Sequence, residues 1–150
     1  MPLSLQEMSD RFEIQDLLVA YCYAVDDRDF DALDAVFTPD AVIDYSEMVG
    51  VKGNPAEIKA FLRESLAGIK AIQHAVSTTQ YMIDGDTAKT RTAVYNPMVL
   101  DDNGAEHVMV FGLWYHHDYV RTADGWRISR LYEQRCYSEN VPEWVKALTQ

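Results

Sequence analysis

Three short turn signals divide the second half of the chain: Asp84-Gly85-Asp86, Asp101-Asp102-Asn103-Gly104 and Ala123-Asp124-Gly125. Each lies between β-rich runs, and Asx-Gly pairs supply the positive-φ residues that tight hairpins need. Three consecutive hairpins imply four consecutive antiparallel strands. They are expected over Ile72 to Ile83, Thr87 to Leu100, Glu106 to Arg121 and Trp126 to Glu139. These runs far exceed the common strand length of about 5 to 6 residues. A sheet of strands this long must twist and curl, so that one face wraps around an interior.

The first half supplies what closes that interior. From about Leu5 to Asp26, the apolar residues Ile14, Leu17, Leu18, Tyr21 and Val25 recur at helical spacing, opposite Glu13, Asp16, Ala20 and Asp27. After Asp26-Asp27-Arg28-Asp29, the residues Phe30, Leu33 and Val36 or Phe37 fit a short second helix, closed by Thr38-Pro39-Asp40. Ala41 to Tyr45 reads as a strand, and Val49 to Gly53 as a short strand and turn. Asn54-Pro55-Ala56-Glu57 opens a third helix with an N-cap asparagine, proline at the first helical position and an early glutamate. Its buried stripe is expected to be Ile58, Phe61, Leu62, Leu66 and Ile69. Val141 to Leu148 fits one or two final helical turns.

At 150 residues the chain can bury about two thirds of its unfolded surface, and no linker or repeat interrupts it, so one domain over residues 1–150 is expected. Acidic residues outnumber basic ones 24 to 13, for a formal net charge of −11, which opposes nucleic acid and anionic membranes as partners. Cys22 and Cys136 each sit in an apolar run, outside any paired metal-ligand spacing, and are expected to be reduced and buried. No signal-like or spanning apolar stretch occurs, which points to the cytoplasm. There is no Gly-rich phosphate loop and no Gly-x-Ser-x-Gly elbow. His116 and His117, adjacent in a strand, point to opposite faces and cannot both serve one metal ion. No cofactor and no metal is the expectation.

The order helix, helix, strand, helix, then four-strand meander resembles the nuclear transport factor 2-like superfamily, and within it the SnoaL-like group. The residues that carry the resemblance are Ile14-Gln15-Asp16-Leu17-Leu18, Tyr21 followed by Asp26, Asp29-Phe30-Asp31-Ala32-Leu33, Asp44-Tyr45, Gln73-His74, and Asp124-Gly125-Trp126-Arg127-Ile128 with Arg130. The resemblance implies an α+β fold: a cone-shaped barrel whose strongly curved, mixed, mostly antiparallel sheet is enclosed by three N-terminal helices. It also implies a likeness to scytalone dehydratase, bile-acid 7α-dehydratase and hexachlorocyclohexane dehydrochlorinase, which eliminate a group from a cyclic substrate using an aspartate and a histidine. Those positions fall on Asp26 and His74 here. The bile-acid enzyme's tyrosine and arginine fall on Tyr21 and Arg135, and a scytalone dehydratase tyrosine on Tyr45. The chain departs from the pattern at Val25, where scytalone dehydratase has a tyrosine, and at Met98, near the bile-acid enzyme's mid-strand aspartate.

A histidine is suited to proton abstraction near neutral pH, and a carboxylate partner fixes its tautomer. Asp26 and His74 supply that pair, and Tyr21, Tyr45 and Arg135 could hydrogen-bond a carbonyl or leaving group. Pocket walls are expected from Leu17, Phe30, Phe61, Leu62, Met98 and Phe111, with Met82 and Met109 as further adaptable candidates. Each residue also has a structural reading: a solvated helix-end carboxylate for Asp26, a strand histidine for His74, an ion pair with Glu133 for Arg135. The inward strand parity stays open, because one bulge switches the face, and Gly112 is a candidate bulge site. Val110 and Trp114 on the outer face suggest a homo-oligomer, a dimer or a trimer. Three functions remain: a cofactor-independent lyase or isomerase for a cyclic, apolar, steroid- or polyketide-like small molecule; a binding protein without turnover; or an assembly subunit of the kind found with ring-hydroxylating dioxygenases.

Overall fold

A computed structural model describes residues 2–147. Helix α1 spans Leu5–Asp26 and begins in a capping box, Ser4 and Glu7 exchanging side-chain-to-backbone hydrogen bonds. A 3-10 turn covers Phe30–Ala35, and strand β1 covers Phe37–Asp44. The strand therefore already includes Thr38 and Pro39, which the sequence reads as the end of a helix. The short helix α2 (Ser46–Val49) and the two-residue strand β2 (Lys52–Gly53) replace the expected strand and turn. Helix α3 (Pro55–Ser65) opens in the Asn54–Glu57 capping box. Ile69 does not extend its stripe: it begins strand β3 (Ile69–Ile72), so a leucine-and-isoleucine spacing that suits a helix here crosses a chain reversal.

The meander follows as β4 (Ala75–Asp84), β5 (Thr87–Asp102), β6 (Ala105–Thr122) and β7 (Gly125–Glu139), joined by the three expected turns. Gly85, Gly104 and Gly125 all take the positive φ those turns require. The sheet runs β2-β1-β7-β6-β5-β3, with β4 also on β5. Only β1 on β7 is parallel, so the sheet is mixed but mostly antiparallel. A final short helix, α4, covers Glu143–Lys146; Leu148, also expected there, lies outside the described residues.

The core fills the concave side of the sheet. Ile14, Leu18, Tyr21 and Val25 of α1 pack toward Leu113, Tyr115, Tyr119, Ile128 and Leu131 of the meander, all nearly or fully buried. One polar group is deliberately enclosed at the narrow end. Asp10 accepts two hydrogen bonds from Arg121, at 2.9 and 3.0 Å, and one from Trp126 Nε1 at 3.0 Å, fastening α1 to β6 and β7.

Two irregularities shape the open end. Strands β3 and β4 are one edge interrupted at Gln73-His74, opposite Asn96-Pro97 of β5. Pro97 has no N–H to give to the ladder, and the Gln73 carbonyl instead accepts from Asn96 Nδ2 at 2.9 Å. The second is a bulge where Gly112 and Leu113 face Tyr137 and Arg135, leaving Cys136 as the extra residue. A Cβ on Gly112 would stand 2.0 Å from the Tyr137 ring, so glycine is what lets the ring lie across the bend. Cys22 is buried as expected, whereas the bulge leaves Cys136 exposed; both are free thiols. Val110, between the cavity-lining Met109 and Phe111, lies outside the core cluster on the other face of the strand and is nonetheless buried.

Candidate active site

The break at Gln73-His74 creates the site. With no ladder partner, the His74 backbone N–H donates to Asp26 Oδ2 at 2.9 Å, and His74 Nδ1 lies 2.5 Å from Asp26 Oδ1. Asp26, the last residue of α1, thus fixes both the main chain and the ring of His74. The pair is well shielded, with side-chain exposures of 7% for His74 and 14% for Asp26. Because Nδ1 is engaged, Nε2 is the ring nitrogen left for a ligand.

His74 lines an apolar cavity of about 120 Å³ at the wide end of the cone. Tyr21 and Tyr45 line it too, their hydroxyl oxygens 2.5 Å apart. Burial pushes both phenols well above their ordinary pKa, and for Tyr45 the Glu133 charge adds to it. Both stay protonated at any ordinary pH, one donating to the other, so that one hydroxyl proton of the pair is left to give. The Tyr21 ring meets His74 edge-on at 6.5 Å and Tyr115 at 5.6 Å. Cys22, one residue along, has its thiol pushed up to about 12 by burial and then by the Asp26 charge, so it is no nucleophile.

Of the residues singled out from sequence, Asp26, His74, Tyr21 and Tyr45 come together, and Phe61, Leu62, Met98 and Phe111 form cavity wall, joined by Met109. Three do not. Leu17 faces a shallow recess beside Trp126, Phe30 is buried under α3 with the Arg63 guanidinium over its ring, and Met82 is half exposed. Arg135 also lies apart: opposite Leu113 and two residues past Glu133, it is exposed beside a separate recess with Met48 and Phe111, where its guanidinium donates to the Glu47 carbonyl at 2.9 Å and its N–H to Glu47 Oε1 at 3.0 Å. The anticipated pairing with Glu133 is absent.

Glu133 takes the place toward the cavity that Arg135 was expected to hold. It sits directly opposite Tyr115 in the β6–β7 ladder and therefore shares the inner face. Burial first, then the charge of Asp44, push its carboxyl up to about 8. Asn96 and Trp144 are among the other lining residues that were not anticipated. Strand alternation could have found Glu133, since it shares the parity of Arg135 with no bulge between them. Among the described residues, no group of three or more His, Cys, Asp or Glu is arranged to hold a metal ion, and no helix is long and apolar enough to cross a membrane.

A curved mixed sheet closed by N-terminal helices around an apolar cavity, with a histidine and carboxylate at its edge, defines the cone-shaped α+β class of the nuclear transport factor 2-like fold. Residues 6–132 match the SnoaL-like domain family, and the chain belongs to it. An uncharacterized Mycobacterium tuberculosis protein is 46% identical over 137 residues, covering 91% of this chain and 92% of that one. Among solved structures, a Novosphingobium aromaticivorans protein described as an aromatic ring hydroxylase superposes with a TM-score of 0.81 at 30% identity, covering 89% and 94% of the two chains. A protein from the same organism described as a scytalone dehydratase gives 0.78 at 14%, covering 90% and 89%. The hexachlorocyclohexane dehydrochlorinase LinA-type3 of Novosphingobium barchaimii gives 0.80 at 17%, covering 93% and 94%. The last two likenesses are of fold.

Proposed function

We propose that this protein is a lyase or isomerase that works by proton transfer, without a cofactor, on a cyclic and largely apolar small molecule. The observation that carries the reading is the double contact of Asp26 with His74 beside the Tyr21–Tyr45 pair in an otherwise apolar cavity. His74 Nε2 acts as the base, and Asp26 orients the ring. One phenol of the Tyr21–Tyr45 pair donates to the other, and the second donates to the oxygen on which negative charge develops. The dehydratase and dehydrochlorinase of like fold are eliminating enzymes by name, which is consistent with this chemistry.

Cavity size narrows the ligand. An apolar cavity of roughly 150 Å³ accepts a benzene ring, and this one measures about 120 Å³. One six-membered ring is therefore the unit that fits, and a steroid- or polyketide-like ligand would have to extend past Trp144 at the C-terminal side. A panel of cyclic β-hydroxy ketones, beginning with 3-hydroxycyclohexanone, tests the reading through the ultraviolet absorbance of the enone formed. Turnover by the wild type that is lost in both His74→Ala and Asp26→Asn, each still folded by circular dichroism, is the expected result. Undiminished turnover in both variants would refute the dyad.

One comparison favours a second reading. The 30% identical chain described as an aromatic ring hydroxylase is consistent with an aromatic ligand and with service as an assembly subunit. That role requires His74→Ala to leave ligand binding and assembly unchanged.

A further inference from the structure

Among the described residues Glu133 is the one acidic side chain lining the cavity; it is partly exposed, and its carboxyl has no hydrogen-bond partner and no ion pair there. Elsewhere the protein spends care on its enclosed carboxylates: Asp10 receives Arg121, Gln6 and Trp126, Asp44 receives Ser46, and Asp26 receives His74. A carboxyl left unpaired inside an apolar cavity is costly as an anion and is held as the neutral acid, which keeps a proton to donate. The groups facing Glu133 do not oppose this. They are Tyr21 and Cys22 on α1, Asp44 and Tyr45 at the end of β1, Tyr115 on β6, and His74 across the cavity.

Resting on the preceding assignment of His74 as base, we infer that Glu133 is a second catalytic residue, the acid that hydrogen-bonds an oxygen of a single-ring ligand and protonates it as it leaves. For a cyclic β-hydroxy ketone the step balances without any other reactant. His74 Nε2 takes the proton from the carbon beside the carbonyl, and that C–H electron pair becomes the new C=C bond. The bond to the neighbouring hydroxyl breaks with its electron pair on oxygen, and the Glu133 proton goes with it, releasing water. The proton on His74 returns to the Glu133 carboxylate through solvent, restoring both groups. The site then has a division of labour: His74 and Asp26 on one wall remove a proton, one hydroxyl of the Tyr21–Tyr45 pair holds the carbonyl oxygen while accepting from the other, and Glu133 on the sheet wall supplies a proton to the departing group. The elevation of its carboxyl to about 8 agrees with this role.

Binding of 2-cyclohexenone, read by tryptophan fluorescence because Trp144 lines the cavity, separates this assignment from the base assignment. Wild-type affinity is expected to fall about tenfold between about pH 6 and about pH 9.5 as the donor is lost. Glu133→Gln, whose amide donates at every pH, is expected to bind with a flat profile, and His74→Gln with the wild-type profile. A flat wild-type profile, a Glu133→Gln profile that still falls, or a fall abolished by His74→Gln each overturns the role of Glu133. Absence of saturable enone binding by the wild type overturns the single-ring ligand class and the role with it. If the pH-dependent binding holds but the wild type does not convert 3-hydroxycyclohexanone, the elimination reading fails while the contact of Glu133 with a ligand oxygen stands.

Discussion

Asp26 holds His74 at two points, one oxygen on the backbone N–H at 2.9 Å and the other against ring Nδ1 at 2.5 Å. A helix end is thereby tied to the gap between two strands, and the two contacts separate cleanly by mutation. Asp26→Ala leaves the His74 N–H without its acceptor and is expected to cost about 1 to 3 kcal/mol, whereas His74→Ala keeps the backbone contact and costs less. Urea midpoints at constant m report the difference. On elimination of a cyclic β-hydroxy ketone, His74→Ala is expected to lose roughly a hundredfold or more, measured as kcat/KM.

Asp10 plays the opposite kind of role, wholly structural. It is 2% exposed and bound by Arg121 and Trp126, and the Arg121 hydrogen bonds, followed in effect by those of Trp126 and Gln6, hold its carboxyl at about 2 against the cost of burial. Its folded value lies below its unfolded one, so its contribution is present above about pH 4 and is lost as the pH falls toward 2. Asp10→Ala is expected to cost about 3 kcal/mol at neutral pH and to flatten the acid limb of a denaturation series. An unchanged acid limb would place the loss elsewhere.

Glu133 reverses that sign. Its folded value of about 8 stands above the unfolded value of about 4.3, so the folded state holds the extra proton and stability declines as the pH rises through that window. Each pH unit within it costs up to about 1.4 kcal/mol. Glu133→Gln is therefore expected to melt at a higher temperature than the wild type near pH 8 and to show a shallower decline, by scanning calorimetry across the pH range.

His117 is buried to 1% exposure with no partner on either ring nitrogen, and burial, then the neighbouring His116, pulls it down to about 3. The unfolded chain binds a proton near pH 6.5 that the folded one refuses, so stability falls as the pH drops from there toward 3. His117→Leu removes the titration and the unpaired nitrogens. It is expected to stabilise the protein at pH 5 by about 2 kcal/mol, read by urea denaturation, and to leave the pH 8 value much less changed.

Local rules carried most of the architecture. Asx-Gly turns marked all three hairpins, the Asn54-Pro55 start marked α3, and apolar spacing marked α1 to within its observed ends. These signals are visible in sequence because each arises from residues a few positions apart. Ile69 was misread for the same reason: its spacing from Leu62 and Leu66 fits a helix, and only the packing of β3 on β5 assigns it otherwise.

The site divides along the same line. Residue types and order determined long curled strands closed by helices, and the family resemblance they carry pointed to a cone and to Tyr21, Tyr45, Asp26 and His74 as chemistry-bearing groups. Tertiary structure alone decided which faced the cavity. The edge position of His74 leaves its N–H to Asp26, Pro97 leaves the Gln73 carbonyl to Asn96, and the pairing of β7 on β6 sets Glu133 opposite Tyr115 while Arg135 reaches Glu47 at the end of the sheet. A bulge moves a side chain across the sheet by inserting one residue, and its position depends on how two strands far apart in sequence twist against each other. Side-chain identity is local, but which way a side chain points in a long, coiled strand is settled only by its neighbours in the sheet.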